Sequence, residues 1–375
     1  MRAKERQMAR VVMRRFARIH ETGNAQHRAT RIARFTAIRA ALLVIASLPA
    51  GCFSMSAVPP PPGSQRVQDA TRHERAIFDA SAPAFVESDW GRSGSFVLVS
   101  PRVNGRDVGW FILDTGASGC TMTSTAARAA GAVAVGSTLI QGSDETTVFR
   151  CDSLSLGPFR VEDVHVTGLD MERSSLPFGR EIAGILGRNV FESAIVVLDG
   201  PSRSVRLLDP AAPDSIERAT TILRVTERGA DRADAGRIEW IPITMQRELP
   251  HVPVAFDGDR EASFILDTGA DATIHFFADT VDQNDLLESQ GVRVTGTKTQ
   301  VTFGRRASIS DGTIEDLRLG SRQVGPSKAS FARPGDGVSK HLGGSAGLVG
   351  MGIMRNFVVV IDEPGRRVAF LKPSK

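Results

Sequence analysis

Phe111-Ile112-Leu113-Asp114-Thr115-Gly116-Ala117 recurs, residue for residue, as Phe264-Ile265-Leu266-Asp267-Thr268-Gly269-Ala270, an offset of 153 residues. Seven consecutive identities mark an internal duplication, and the flanks agree. Phe96-Val97-Leu98-Val99 and a hairpin-type Asn104-Gly105 precede the first copy; Val252-Pro253-Val254-Ala255-Phe256 and Asp257-Gly258 precede the second. Downstream come Ile185-Leu186-Gly187 and Leu348-Val349-Gly350, each trailed by Arg-Asn and Phe (Arg188-Asn189 and Phe191; Arg355-Asn356-Phe357). Each copy then closes with an apolar strand, a charged turn and a second strand: Ala194–Asp199 with Val205–Leu208, and Val358–Asp362 with Val368–Leu371.

Outward from these anchors the 375 residues divide into five parts. A leader spans 1–51, a tether with a Pro-rich linker 52–92, an N-terminal lobe 93–212, a charged inter-lobe linker 213–236 and a C-terminal lobe 237–375. With 36 Gly and 19 Pro, the composition favours turns and an all-β fold over a helical bundle.

A carboxylate ending an apolar strand is a costly place for one charge. Two such loops meeting at a pseudo-two-fold would set Asp114 against Asp267, and like charges that close hold one proton between them. The ionised member then takes a proton from water while the protonated member polarises a carbonyl, a dyad logic long established for carboxylate pairs. Gly116 and Gly269 let the backbones approach without a Cβ. Thr115 and Thr268 can hydrogen-bond across the junction. Neither a cofactor nor a metal is needed.

The paired Asp-Thr-Gly-Ala with its downstream apolar-apolar-Gly resembles the aspartic proteases, in particular the retropepsin-like branch, over both lobes. The resemblance implies an acid-protease fold: two β-barrel-like lobes with the active site at their junction and a peptide held beneath flap hairpins. It makes Asp114 and Asp267 the catalytic pair. It places Gly187 and Gly350 behind the catalytic loops, and flaps at Gln141–Glu145, with Gly142 and Ser143, and at Phe303–Arg306, with Gly304. Leu156-Gly157 and Leu319-Gly320 look like the equivalent turns that follow. Ala117 and Ala270 stand where pepsin-like enzymes have a hydroxyl, which implies a milder pH optimum than pepsin's, and the chain has no Tyr for a pepsin-type flap. Because one chain carries both halves, a monomer suffices. Retropepsins pair the Arg after the downstream Gly with an acid four places beyond the catalytic one. Here that Arg is Arg188, and the places are Ser118 and Asp271. The expected activity is hydrolysis of peptide bonds in a peptide or protein substrate; the alternative is a proteolytically silent peptide-binding module.

The formal charge of +4 suggests nucleic acid until it is mapped. Residues 1–39 hold eleven of the 46 basic residues and two of the 42 acidic ones, so the body from Cys52 onward carries 35 basic against 40 acidic. A nucleic-acid partner is disfavoured. Basic residues followed by the twelve-residue apolar run Ala40–Gly51 describe a secretory signal too short to span a bilayer. Ala50-Gly51-Cys52 resembles a bacterial lipobox, with Pro49 departing from the usual Leu. The expectation is a lipid anchor at Cys52 and a periplasm-facing lipoprotein of the cell envelope; an ordinary signal peptide cut near Ala50 is the alternative. Pro59–Pro62 reads as a stiff tether. Cys120 and Cys151 could oxidise on export, but two cysteines do not fix a geometry.

Two motifs compete for attention. Gly343-Gly344-Ser345-Ala346-Gly347 matches a serine-hydrolase elbow, but that elbow needs a strand before and a helix after, and here Leu348-Val349-Gly350 follows. The seven His show no metal-type spacing, and His275 reads as a core or surface histidine.

Overall fold

Alternating and wholly apolar runs become strands almost throughout the computed structural model. It describes residues 55–68, 70, 72, 75–91, 94–140, 144–171, 180–212, 215, 238–302, 305–333 and 344–372, all within the compact unit Ala40–Lys375. The leader, Cys52 and, apart from Ser215, the expected linker 213–236 lie outside the described residues. The fold is all-β: the described residues form three sheets of twelve, six and ten strands with short helices at their margins.

In chain order the first half gives β1 (Met55–Ala57), β2 (Arg75–Phe78), β3 (Phe85–Val86), β4 (Ser88–Asp89), β5 (Leu98–Val99), β6 (Arg102–Val103), β7 (Arg106–Asp107), β8 (Trp110–Leu113) and β9 (Thr121–Met122). Helix α1 (Ser124–Ala130) follows, then β10 (Val133–Ile140), β11 (Asp144–Leu156), β12 (Phe159–Met171), β13 (Ile182–Leu186), α2 (Arg188–Phe191), β14 (Ile195–Asp199) and β15 (Ser204–Leu208). The Thr123 hydroxyl caps the start of α1 by accepting from Ala126 N–H, and Gly131 ends it in the left-handed region at φ 68°.

The second half gives β16 (Ile241–Pro242), β17 (Thr244–Gln246), β18 (Leu249–Phe256), β19 (Arg260–Leu266), β20 (Ile274–Phe276), α3 (Ala278–Gln283), β21 (Val292–Thr302) and β22 (Arg305–Ile314). It closes with β23 (Leu317–Leu319), β24 (Arg322–Gln323), β25 (Ser327–Ala332), β26 (Gly347–Val349), α4 (Met351–Met354), β27 (Val358–Asp362) and β28 (Arg367–Leu371). Asn104-Gly105 and Asp257-Gly258 make their hairpin turns with positive φ at both residues, the geometry that matches strand twist.

The two halves share a plan. β13 runs parallel to β8 and antiparallel to β9, with Leu186 opposite Leu113. β26 runs parallel to β19 and antiparallel to β20, with Val349 opposite Leu266. β9 then lies parallel to β12, and β20 parallel to β25. Between the halves, the apolar runs β14 and β27 pair antiparallel with Val197 opposite Val360, at the centre of the six-stranded sheet β16-β28-β27-β14-β15-β3. Both strands are buried along their whole length, which is why neither alternates.

Two expectations need correction. The segment 52–92 is not a free tether where it is described. β1 pairs with Leu169–Met171 of β12, β2 pairs with Phe159–Glu162, and Trp90 sits in the main core. Residues 55–58 and 75–78 supply donors and acceptors that the sheet edges would otherwise present to water. The Arg-Asn-Phe correspondence is also out of register. Arg188–Phe191 forms α2 itself, whereas Arg355 follows α4 as its C-cap. The counterpart of Arg188 is therefore Met351, and that of Asn189 is Gly352.

Candidate active site

Each Asp-Thr-Gly loop begins where a buried apolar strand ends. Asp114 N–H donates to Leu186 O (2.9 Å) and Asp267 N–H to Val349 O (2.9 Å), so β13 and β26 fix where the two strands release the chain. Behind the loops, Arg188 N–H donates to Ala117 O (3.0 Å) and Met351 N–H to Ala270 O (2.8 Å). A side chain at Gly187 would strike the carbonyls of Gly119 and Ala117, and one at Gly350 those of Ala272 and Ala270. Only glycine fits either place.

The loops lock to each other. Thr115 Oγ1 donates to Leu266 O (2.6 Å) and accepts from Thr268 N–H (3.0 Å). Thr268 Oγ1 donates to Leu113 O (2.8 Å) and accepts from Thr115 N–H (3.0 Å). Four buried bonds thus tie the first half to the second with two-fold reciprocity.

The carboxyls meet inside this frame. A Cβ on Gly116 would lie 2.7 Å from Asp267 Cγ, and one on Gly269 2.5 Å from Asp114 Cγ. Each carboxyl therefore rests on the other loop's glycine. Oδ1 of each accepts from its own loop's glycine N–H: Gly116 to Asp114 at 2.7 Å and Gly269 to Asp267 at 2.9 Å. Both side chains are fully buried, and both Oδ2 atoms lack a hydrogen-bond partner.

Burial pushes the Asp114 carboxyl up to about 7, against the pull of the Gly116 and Gly269 N–H groups. Burial, and then the charge of Asp114, hold Asp267 well above the usual carboxylate range. Burial and mutual repulsion therefore keep the pair from ionising together and hold protons on it well above the usual carboxylate range. Chemically it offers a base and an acid side by side.

Residues 99–190 match the aspartyl protease family. The matched segment takes in β8, the Asp114 loop, Gly187 and most of α2; the second copy of the motif lies beyond it. No curated protein matches the chain.

The remaining sequence-predicted residues divide. Gly142, Ser143 and Gly304 lie outside the described residues, but the arms that flank them form two hairpins, with Ile140 opposite Asp144 and Thr302 opposite Arg305. Arg188 does not reach the position four beyond Asp114, where Ser118 offers no charge. Its guanidinium pairs with Glu192 at 3.0 Å and Glu248 at 3.3 Å. Cys120 and Cys151 are both free and buried, their thiols pushed up to about 12 by burial. Buried His275 shares a 2.8 Å hydrogen bond with Ser330, and desolvation pushes it down to about 4. Ser345 runs directly into β26, and its Oγ lies 2.6 Å from His251 Nε2.

Sequence reasoning missed Asn189, whose side chain accepts from Cys120 N–H (3.1 Å) and braces the chain just past the Asp114 loop. Its place directly after Gly187-Arg188 was the available signal, hidden by the false alignment with Asn356.

Proposed function

We propose that the chain is an aspartic endopeptidase in which Asp114 and Asp267 activate a water molecule against a peptide bond. The observation that carries this reading is the reciprocal threonine lock, which sets two buried carboxyls against each other's glycine. The ionised carboxyl takes a proton from water as the hydroxyl oxygen attacks the peptide carbon. The protonated carboxyl donates to the carbonyl oxygen as it gains charge. As the tetrahedral adduct collapses, the C–N bond breaks, the departing nitrogen takes a proton from one carboxyl, an adduct hydroxyl returns a proton to the other as the new carboxyl forms, and the shared-proton state is restored.

The basic-apolar leader and Cys52 support a periplasm-facing lipoprotein of the cell envelope, acting as a monomer on peptide or protein substrates. Incorporation of labelled fatty acid that vanishes in Cys52→Ser tests the anchor.

The decisive experiment follows cleavage of a diverse peptide pool between pH 3 and 8 beside Asp114→Asn and Asp267→Asn. Cleavage abolished in both variants, and blocked in the parent by a statine-type mimic, is the expected result. Cleavage surviving in both refutes the dyad. A second reading, a peptide-binding module without catalysis, is favoured by the complete burial of both carboxyls; it requires peptide binding with no cleavage at any pH.

A further inference from the structure

We infer that residues 55–67 form a clasp that splints the β10–β11 hairpin and keeps the dyad shut away, so that releasing the clasp raises activity. The inference rests on the peptidase reading above, and it starts from a difference between the two halves. In the second half, β22 zips onto β25 without interruption from Ile314 to Ile309, including Asp311 opposite Ser330 and Ser310 opposite Phe331. In the first half the equivalent ladder, read toward the hairpin end, stops at Val148 opposite Thr167. Beyond Gly168, the places Leu169, Asp170 and Met171 on β12 pair with Ala57, Ser56 and Met55 instead. A foreign strand has been wedged between β12 and the hairpin arm.

The slot is built for its occupant. Val58 N–H donates to Thr146 Oγ1 (3.1 Å), which itself donates to Gly168 O (2.6 Å). Thr147 N–H and Oγ1 both donate to Val58 O, at 2.8 and 3.0 Å. A Cβ on Gly168 would stand 2.8 Å from that of Val58, so the glycine makes the room that Val58 fills; its second-half counterpart is Ser330.

The chain then crosses the hairpin and grips its other edge. Ser137 N–H donates to Gln65 O (2.9 Å) and Val67 N–H to Ser137 O (2.8 Å). Ser137 is the partner of Thr147 within the hairpin, so one rung is held from both sides. Pro59–Pro62 lie in the crossing, where stiff residues without N–H groups span the face and leave no donor unpaired. On the inner side, Ala57 packs on the apolar cluster of Ile112, Ala117, Ile140 and Ile185, which joins the hairpin to the Asp114 loop. Both carboxyls are buried, so a substrate needs an opening to reach them, and the clasp fastens the hairpin to β12 and to the cluster around the Asp114 loop.

The test keeps the whole chain, so that folding precedes release. A recognition sequence for a site-specific protease replaces Pro60–Gly63, and hydrogen exchange and peptide cleavage are measured before and after the cut. Val58→Asp in an uncut chain, which puts a charge into the slot, is the second route to release. Both should speed exchange of the Ser137 and Thr147 amides and raise kcat/KM by about tenfold or more, equivalent to removing ~1.4 kcal/mol of restraint. Unchanged exchange after both manipulations overturns the clasp. Faster exchange with unchanged kcat/KM overturns its control over access. Faster exchange with no cleavage in any form supports the splint and refutes the peptidase reading instead.

Discussion

Replacing Thr115 by Val tests the lock that joins the two halves. Valine keeps the shape of the side chain and removes only the hydroxyl. Two bonds go with it, the 2.6 Å donation to Leu266 O and the 3.0 Å acceptance from Thr268 N–H. Both stranded groups sit where water does not reach, since Thr115 and Thr268 are buried to within 2%. An orphaned buried polar group costs about 1–3 kcal/mol, so two should cost roughly 2–5 kcal/mol. Thr115→Ser is the control: it keeps both bonds and loses one buried methyl, about 1 kcal/mol. Urea unfolding followed by tryptophan fluorescence separates the two, because the gap of about 1–4 kcal/mol is well above the error of a matched pair. Thr268→Val should behave alike, since its hydroxyl donates to Leu113 O and accepts from Thr115 N–H. A valine variant as stable as the serine variant would refute the claim that these four bonds hold the halves together.

Gly269→Ala should cost at least about a hundredfold in peptide cleavage while circular dichroism stays that of a folded protein, because its Cβ would lie 2.5 Å from Asp114 Cγ and drive the carboxyls apart. The dyad also sets a pH dependence of stability. Its folded-state pKa values are raised, so its contribution is complete below about pH 4 and is lost as pH climbs toward 7, where the unfolded chain ionises freely. Unfolding free energy should therefore fall between pH 4 and 7, with a shallower slope in Asp267→Asn. Glu363, pushed up to about 7 by burial, adds to the same trend, and Glu363→Gln isolates its share. Cleavage should peak above the usual carboxylate range, and a maximum below about pH 3 would contradict the raised dyad. Cys120 and Cys151 should react with a disulfide reagent only after unfolding, because both thiols are buried and held neutral.

The parts of the molecule that were legible in sequence are those where chemistry is local. Asp, Thr and Gly at each strand end are dictated by neighbours one to three residues away and by a symmetric partner of the same sequence. The same holds for Asn104-Gly105, whose left-handed backbone needs those residues wherever the strands lie. The clasp was illegible because its reasons sit far off in the chain: Val58 is explained by Thr146, Thr147 and Gly168. A run of four prolines looks the same whether it spans water or a hairpin. The partners of Arg188 were illegible for a related reason. Its family partner position is Ser118, and the carboxylates that replace it, Glu192 and Glu248, come from its own helix and from the other half.

The central sheet bears on how the chain is made. Strand β14 has one edge against β15 and the other against β27, whose residues lie some 160 positions later: Val197 meets Val360. At ~5–20 residues per second, a ribosome takes roughly 10–30 s to supply that partner after β14 has emerged. Throughout that interval a fully apolar Ile195-Val196-Val197-Leu198 stands with an unsatisfied edge. The first half must therefore be shielded, or held unfolded, until the second arrives, and a nascent chain stalled before Val358 should be captured by holdase chaperones rather than released as an independent lobe.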